Sequence, residues 1–254
     1  MSTLQQLRDS ALAGMELVVT PAHTLWQEHT GGEEQYTERA IEFAADVWRG
    51  TFKHERSGRL SPSGMGGCER ALQFGYQGAP RNPVKVDDLD LMAIGTKMHL
   101  MWQMEGLSAG YLTDAEVWVT DGDLLGGSMD GILYDDSIFE LKTMRSQVYA
   151  KWVAKEKTVK FDHLLQTEAY FRCSGRNRAS LLYQDRDSGQ THEWRLKSDP
   201  RIEDALDEIL QRAYGFIEVD ALPTIYADCQ SQTGFVFKQC SYSEHCLAVH
   251  GRQR

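Results

Sequence analysis

Between residues 115 and 143 the hydrophobic pattern changes from a helical to a strand period, and this change restricts the fold more than any other feature. Upstream, residues 87–105 place Leu91, Ile94, Met98, Met101 and Trp102 along one side of a long predicted helix. Residues 115–120 then alternate as a strand, and Asp121-Gly122-Asp123 is a turn. Residues 125–134 and 138–143 predict two more strands, joined by a tight turn at 135–137. Helical spacing returns over 147–154 and 162–173. Residues 179–185 and 191–197 predict a second hairpin turning at Ser188-Gly189, and 202–217 a further helix. At the N-terminal side, 3–17 and 37–49 have helical spacing, 21–32 reads as a loop with His23 and Thr30, and 53–62 as a polar connector. Ser63 is a candidate cap for a helix carrying Cys68, Ala71, Leu72 and Phe74. Residues 78–83 form a breaker-rich link, and the last 35 or so residues show little periodicity. This order of elements predicts an α/β fold with a mixed central sheet flanked by helices.

A chain of 254 residues suits one large domain, alone or with a small accessory lobe. No apolar run reaches the ~18 residues of a membrane span. The N-terminal Met1-Ser2-Thr3-Leu4-Gln5 lacks a basic stretch followed by an apolar one, so a secretory signal is not expected. The expected setting is intracellular and reducing, where five cysteines point to metal binding or burial rather than disulfides. The net charge of −10 argues against a generally basic nucleic-acid binder. Its distribution is uneven: residues 142–178 hold nine Lys/Arg against three acids, leaving −16 for the remainder. Such a basic band fits a local groove for phosphates, with a solvated helix face as the alternative. It also holds Tyr149, Trp152 and Phe161, whose rings suit either stacking on unpaired bases or core packing.

Within the strand region, Glu140 and Lys142 share a face because strand residues alternate. Asp130 lies on the preceding strand. Pairing Tyr134 with Ile138 would set Asp130 opposite Lys142 and Ile132 opposite Glu140, whereas a one-residue slip would scatter the cluster. Two carboxylates on neighbouring strands suit a hard ion such as Mg²⁺ or Mn²⁺. Such an ion activates water and neutralises charge on a phosphate, and Lys142 could orient the water, help deprotonate it or stabilise the transition state. A surface salt-bridge pattern is the competing reading. Glu116, on the first strand, is a candidate support for the site.

Gly126-Gly127-Ser128-Met129-Asp130-Gly131 followed by Phe139-Glu140-Leu141-Lys142-Thr143 resembles the core of the PD-(D/E)xK nuclease superfamily, and within it the RecB-like exonucleases. Gly95-Thr96-Lys97-Met98-His99 resembles their upstream helix motif, and Gln166-Thr167-Glu168-Ala169-Tyr170 their downstream motif. Met129 stands where that family usually has proline. The resemblance spans residues 95–170 and implies a restriction-endonuclease-like core. It implies metal contacts from His99, Asp130, Glu140 and Leu141, with Asp130, Glu140, Lys142, Gln166 and Tyr170 as catalytic residues. The glutamine and tyrosine would help position DNA and the active site. The implied activity is metal-dependent DNA hydrolysis, on single-stranded DNA or DNA ends, in recombination, repair, phage DNA metabolism or CRISPR adaptation, where a protein partner is also implied. A structure-specific endonuclease and a non-catalytic DNA-binding subunit are the alternatives.

Cys68 precedes this core and Cys229, Cys240 and Cys246 follow it. Thiolates favour iron–sulfur clusters or zinc over hard ions. A subgroup of the same nucleases, including AddB-type subunits, CRISPR-associated exonucleases and a eukaryotic relative, carries one such cysteine before the core and three after it. Residues 61–70 resemble its first-cysteine helix, and Cys240-x5-Cys246 its final spacing. Ten residues separate Cys229 from Cys240, where many members have a short C-x-x-C. The resemblance implies a 4Fe–4S cluster joining the N- and C-terminal segments, with zinc and four unliganded thiols as alternatives. Cys173 stands apart and reads as a small buried residue. The expected division is an N-terminal helical region (1–86), a nuclease core (87–220) and a cysteine-bearing tail (221–254).

Overall fold

A computed structural model describes residues 18, 19, 22, 36–52, 58–225, 229 and 234–252. The five predicted strands form one sheet: β1 (Leu112–Asp121), β2 (Leu125–Leu133), β3 (Ile138–Met144), β4 (Arg178–Asp185) and β5 (Thr191–Lys197), in the order β1-β2-β3-β4-β5. Among these five strands β3 and β4 run parallel, and the other neighbours are antiparallel. A parallel pair needs a long crossover. Here it is α4 (Ser146–Tyr149), a π turn (Ala150–Lys155) and α5 (Phe161–Ser174).

Helices cover both faces, as the mixed-sheet reading requires. On one face, α1 (Glu38–Arg49) and α3 (Val86–Ala109) pack Phe43, Leu100 and Trp102 against Leu133, Phe139, Leu141 and Leu182. On the other, Ala179 of β4 packs with Tyr170 and Phe171 of α5, and Leu181 and Tyr183 with Tyr149 and Val159 of the crossover. The alternation of Leu182 against Ala179, Leu181 and Tyr183 follows from the strand period of two. Beyond α5 lies α6 (Pro200–Glu218), whose Leu206, Leu210 and Ala213 meet Leu165 and Ala169. Sandwiched in this way, α5 buries seven consecutive residues, Leu165 through Phe171, so even its polar side chains lie inside.

Several sequence expectations change. The long helix runs from Val86 to Ala109 and ends on Gly110 at φ 75°. Trp102 is fully buried, but Ile94, expected on the same inner side, is 43% exposed, and Val86, Leu89 and Met92 earlier in the helix are exposed too. No helix starts at Ser63: a 3₁₀ turn (Pro62–Gly64) comes first, and α2 (Glu69–Tyr76) begins after Cys68. The glycines explain the delay. A Cβ on Gly66 would lie 2.6 Å from the Asp162 Cα, so this segment passes too close to α5 for a helix with side chains. The supposed polar connector contributes Leu60, fully buried and bridged to Leu125, with its N–H donating to the Leu124 carbonyl at 2.5 Å. The helix expected over 147–154 is α4 followed by the π turn. Among the described residues, the aperiodic end includes the short helices α7 (Phe235–Gln239) and α8 (Ser243–Arg252). The helix expected over 3–17 lies outside the described residues, as does the 21–32 loop apart from Ala22.

Residues around α2 dock on the C-terminal segment. The Asn82 side chain donates to the Cys240 carbonyl (3.1 Å) and Ser243 Oγ (2.7 Å), and accepts from the Glu244 N–H (3.1 Å). Arg81 donates to the Tyr242 hydroxyl, and the Phe74 ring meets His245 edge-on at 4.9 Å. No helix among the described residues is long and apolar enough to cross a membrane.

Candidate active site

The β2–β3 ladder stops where the two carboxylates begin. Ile132 pairs with Ile138 and Gly131 with Phe139, two residues out of the expected register. Beyond Gly131 the strands exchange side-chain contacts instead. Asp130 Oδ2 accepts the Leu141 N–H at 2.6 Å, and the Asp130 carbonyl accepts from Gln103 Nε2 at 2.9 Å. Tyr170 donates its hydroxyl to the Ser128 carbonyl at 2.6 Å. Main-chain groups released by the splayed strands are thus satisfied by site residues, as buried polar groups must be.

Asp130, Glu140, Lys142 and His99 form one charge-coupled group in the gap. His99 Nδ1 lies 3.1 Å from Asp130 Oδ1, and Lys142 Nζ donates to Glu140 Oε1 at 2.6 Å. Burial opposes ionisation of Asp130, but His99, Lys142 and the Leu141 N–H together hold its pKa below the usual value. Glu140 moves the other way. Burial first, and then the charge of Asp130, raise it to about 7 despite Lys142. Burial alone would lower the Lys142 pKa, yet Glu140 and Asp130 raise it, so the ammonium stays charged. One acid is therefore held ionised beside another poised near neutrality.

Gln166 and Tyr170, four residues apart on α5, support the group. Gln166 Nε2 donates to Glu140 Oε1 at 2.9 Å, and Tyr170 holds β2 from below. Gly127 admits this contact: a Cβ there would lie 2.9 Å from Pro62 Cδ and 3.3 Å from the Tyr170 ring. Leu141 is apolar and fully buried, so any oxygen it offers an ion belongs to its main chain.

Gln103 and Ser128 belong to the same network. They donate to the two oxygens of Glu116 at 2.9 and 3.0 Å. Glu116 itself sits in β1 at φ 51°, a left-handed conformation rare for a non-glycine residue. The His99-x-x-x-Gln103 spacing places both on one face of α3 and was the available signal for Gln103. His99, Gln103 and Glu116 line an open cleft of about 240 Å³ between α1, α3 and β1. His163, one turn before Gln166, is a further neighbour. Burial and then the Lys142 charge depress its pKa to about 3.

The donor set fits a hard divalent ion. Glu140 Oε2 is buried without a hydrogen-bond partner among the described residues, and a cation would satisfy it. In the arrangement observed, Lys142 and His99 neutralise the two carboxylates, and no three His, Cys, Asp or Glu among the described residues are arranged to hold a metal ion.

Cys68, Cys229, Cys240 and Cys246 all line one cavity between α2 and the C-terminal segment. Burial first, and then the nearby Cys68, raise the pKa of Cys240; burial raises that of Cys246, with Cys68 and Cys240 adding to it. Arg70 shares the cavity and is 3% exposed, with Nε and Nη2 unpartnered among the described residues. The four thiols share this cavity with Arg70, but among the described residues no three of them are arranged to hold a metal ion. Cys173 is elsewhere, packed at the α5–α6 interface, where burial pushes its thiol up to about 12.

The basic band is narrower than its composition. Lys142, Lys160, Arg172, Arg176 and Arg178 each contact a carboxylate. Among the described residues, Arg145, Lys151, Lys155 and Lys157 form no ion pair, and all four lie on the crossover from β3 to α5. Tyr149 is buried and Trp152 packs on the same core cluster, whereas Phe161 is 54% exposed.

No protein-family model matches the chain, and no curated protein matches it significantly. Among solved structures, it is similar to the alkaline exonuclease LHK-Exo of Laribacter hongkongensis (17% identity, 67% of this chain and 95% of that one, TM-score 0.44). The same enzyme in complex with dAMP gives 17% identity, 65% and 92% coverage and a TM-score of 0.48. A phage related exonuclease from Haemophilus somnus 129PT gives 12% identity, 62% and 92% coverage and a TM-score of 0.43.

Proposed function

We propose that this chain is a divalent-metal-dependent nuclease that hydrolyses DNA phosphodiester bonds, with residues 87–220 as its working core. The observation that carries this reading is the gap between β2 and β3, where Asp130, Glu140 and Lys142 meet and Glu140 Oε2 lacks a partner. His99, Asp130, Glu140 and a main-chain oxygen of Leu141 would hold Mg²⁺ or Mn²⁺. The ion supplies Lewis acidity toward a water molecule and a phosphate oxygen.

The chain's own residues do the rest. Gln166 and Lys142 fix the Glu140 carboxylate, and His99 fixes Asp130. The Lys142 ammonium, kept charged by its two acidic neighbours, stabilises negative charge developing on the phosphate. Arg145, Lys151, Lys155 and Lys157 follow the DNA backbone, and the exposed Phe161 offers a face to an unpaired base. The exonuclease assignment, on single-stranded or end-bound DNA, rests on the resemblance to RecB-like exonucleases. An intracellular role in recombination, repair, phage DNA metabolism or CRISPR adaptation rests there too. The second metal centre is a 4Fe–4S cluster on Cys68, Cys229, Cys240 and Cys246, with zinc as its rival. It would clasp the segments already joined through Asn82.

End-labelled single- and double-stranded DNA, incubated with Mg²⁺ or Mn²⁺, tests the activity. The wild type should shorten ends progressively, and Asp130→Ala should abolish cleavage while still binding DNA. Undiminished cleavage by Asp130→Ala would sink the site.

A further inference from the structure

Arg70 is the second residue of α2, directly after Glu69. It is 3% exposed, and its Nε and Nη2 find no hydrogen-bond partner among the described residues. The neighbouring acid does not serve it: Glu69 accepts from Arg212 Nε at 2.8 Å. Its guanidinium carbon stands 5.9 Å from the centre of the Phe74 ring, a contact that supplies no full negative charge. Arginine cannot shed its proton to escape this position, and a buried, unpaired charge is among the costliest features a fold can carry. The cavity it faces is lined by Cys68, Cys229, Cys240 and Cys246.

We propose that Arg70 is the internal counter-ion of the thiolate-ligated centre held by these four cysteines, and that its charge governs both the retention of that centre and its reduction potential. This rests on the cluster reading given above. A cluster with four thiolate ligands is a net anion, and more negative once reduced. A fixed cation beside it therefore stabilises both states and favours the reduced one. In the metal-free protein the same guanidinium has nothing to neutralise and only destabilises. Arg70 is a positioning and charge-compensating residue, without a bond to the metal.

The test compares full-length wild type with Arg70→Lys and Arg70→Gln, purified without oxygen and assayed for iron, acid-labile sulfide and zinc. Redox titration followed by electron paramagnetic resonance gives the midpoint, and a competing iron chelator gives the rate of loss. Arg70→Gln should lose iron roughly tenfold faster or more, the range seen when a supporting partner is removed from a metal site. Its midpoint should move to more negative potential. Arg70→Lys, which keeps the charge, should stay close to wild type in both. Thermal melting adds a readout that packing alone would not produce: Arg70→Gln should match or exceed wild type when metal-free and fall below it when loaded. An Arg70→Gln protein identical to wild type in midpoint and rate of loss overturns the proposal. So does an Arg70→Lys protein as impaired as Arg70→Gln, or a stability order that does not change on loading. A wild type free of iron, sulfide and zinc fails earlier: it overturns the cluster reading and this inference with it.

Discussion

Gln166 donates its side-chain amide to Glu140 across 2.9 Å, from the interior of a helix that is buried on every side. The bond ties the most strongly perturbed carboxylate of the site to a helix with seven consecutive buried residues. Glu140 Oε1 then has two donors, Gln166 and Lys142, while Oε2 is left open. Replacing Gln166 by Leu removes the neutral donor and keeps the volume roughly constant. Loss of such a supporting partner typically costs 10–100-fold in activity or metal affinity. Mn²⁺-dependent cleavage by Gln166→Leu should fall by about that factor with the thermal midpoint little changed. A rate equal to wild type would show that Glu140 needs no such restraint.

Glu140 makes metal binding depend on pH near neutrality. Its pKa of about 7 lies above the ordinary 4.5, so between these values the folded protein carries a proton that the unfolded chain has released. The stability this contributes is fully present below about 4.5 and is lost as pH rises through about 7. A divalent ion must displace the same proton. Mn²⁺ affinity should therefore weaken below pH 7, by up to about tenfold per pH unit. Calorimetry in buffers of different ionisation enthalpy should find close to one proton released at pH 6 and far less at pH 8. Proton release that does not vary across that range would contradict the assignment.

The positions of the five strands and of the helices that flank them were legible because burial imposes a period on the sequence. The hairpin register was not. The observed pairing of Ile132 with Ile138 differs by two residues from that expected, and a two-residue shift leaves every side chain on its original face. Hydrophobic alternation is identical in both registers, so only the turn geometry decides, and Asp136 takes it at φ 62°. The order of motifs brought Asp130, Glu140, Lys142, His99 and Gln166 to one place. It did not reveal that Gln103 and Tyr170 cap the carbonyls freed by the splayed strands, because those bonds join elements far apart in the chain. Arg70 escaped notice for the opposite reason: an arginine two residues after a cysteine looks like a surface residue until its burial is seen.

Gly127 separates the Pro62 ring from Tyr170, and both limit what can replace it. An added methyl would lie 2.9 Å from Pro62 Cδ and 3.3 Å from the Tyr170 ring, closer than packed atoms tolerate. Overpacking of this kind costs about 1–3 kcal/mol. Gly127→Ala should be destabilised by that amount in urea unfolding. Adding Pro62→Ala should restore part of the loss, because the two positions share one space. Simple additivity of the two substitutions would show that the clash is relieved elsewhere.

His163 should make stability fall in acid. Its Nδ1 lies 2.7 Å from the Tyr183 hydroxyl, which also accepts the Lys160 N–H at 3.0 Å. The hydroxyl and the ring share this bond, and the low pKa keeps the ring neutral. Burial and then the charge of Lys142 lower the pKa from 6.5 to about 3, with Asp162 opposing them. Between those values the unfolded chain binds a proton that the folded protein refuses. The stabilisation is complete above about 6.5 and is lost as pH falls toward about 3, at up to about 1.4 kcal/mol per pH unit. Unfolding free energies at pH 7, 6, 5 and 4 should therefore decline more steeply for wild type than for His163→Gln, whose amide does not titrate. Carboxylates remote from His163 contribute equally to both proteins and cancel in the difference, whereas Asp162, whose pKa His163 helps to lower, belongs to the measured effect. Parallel curves would place the His163 proton on the ring in the folded state and remove the histidine from the acid response.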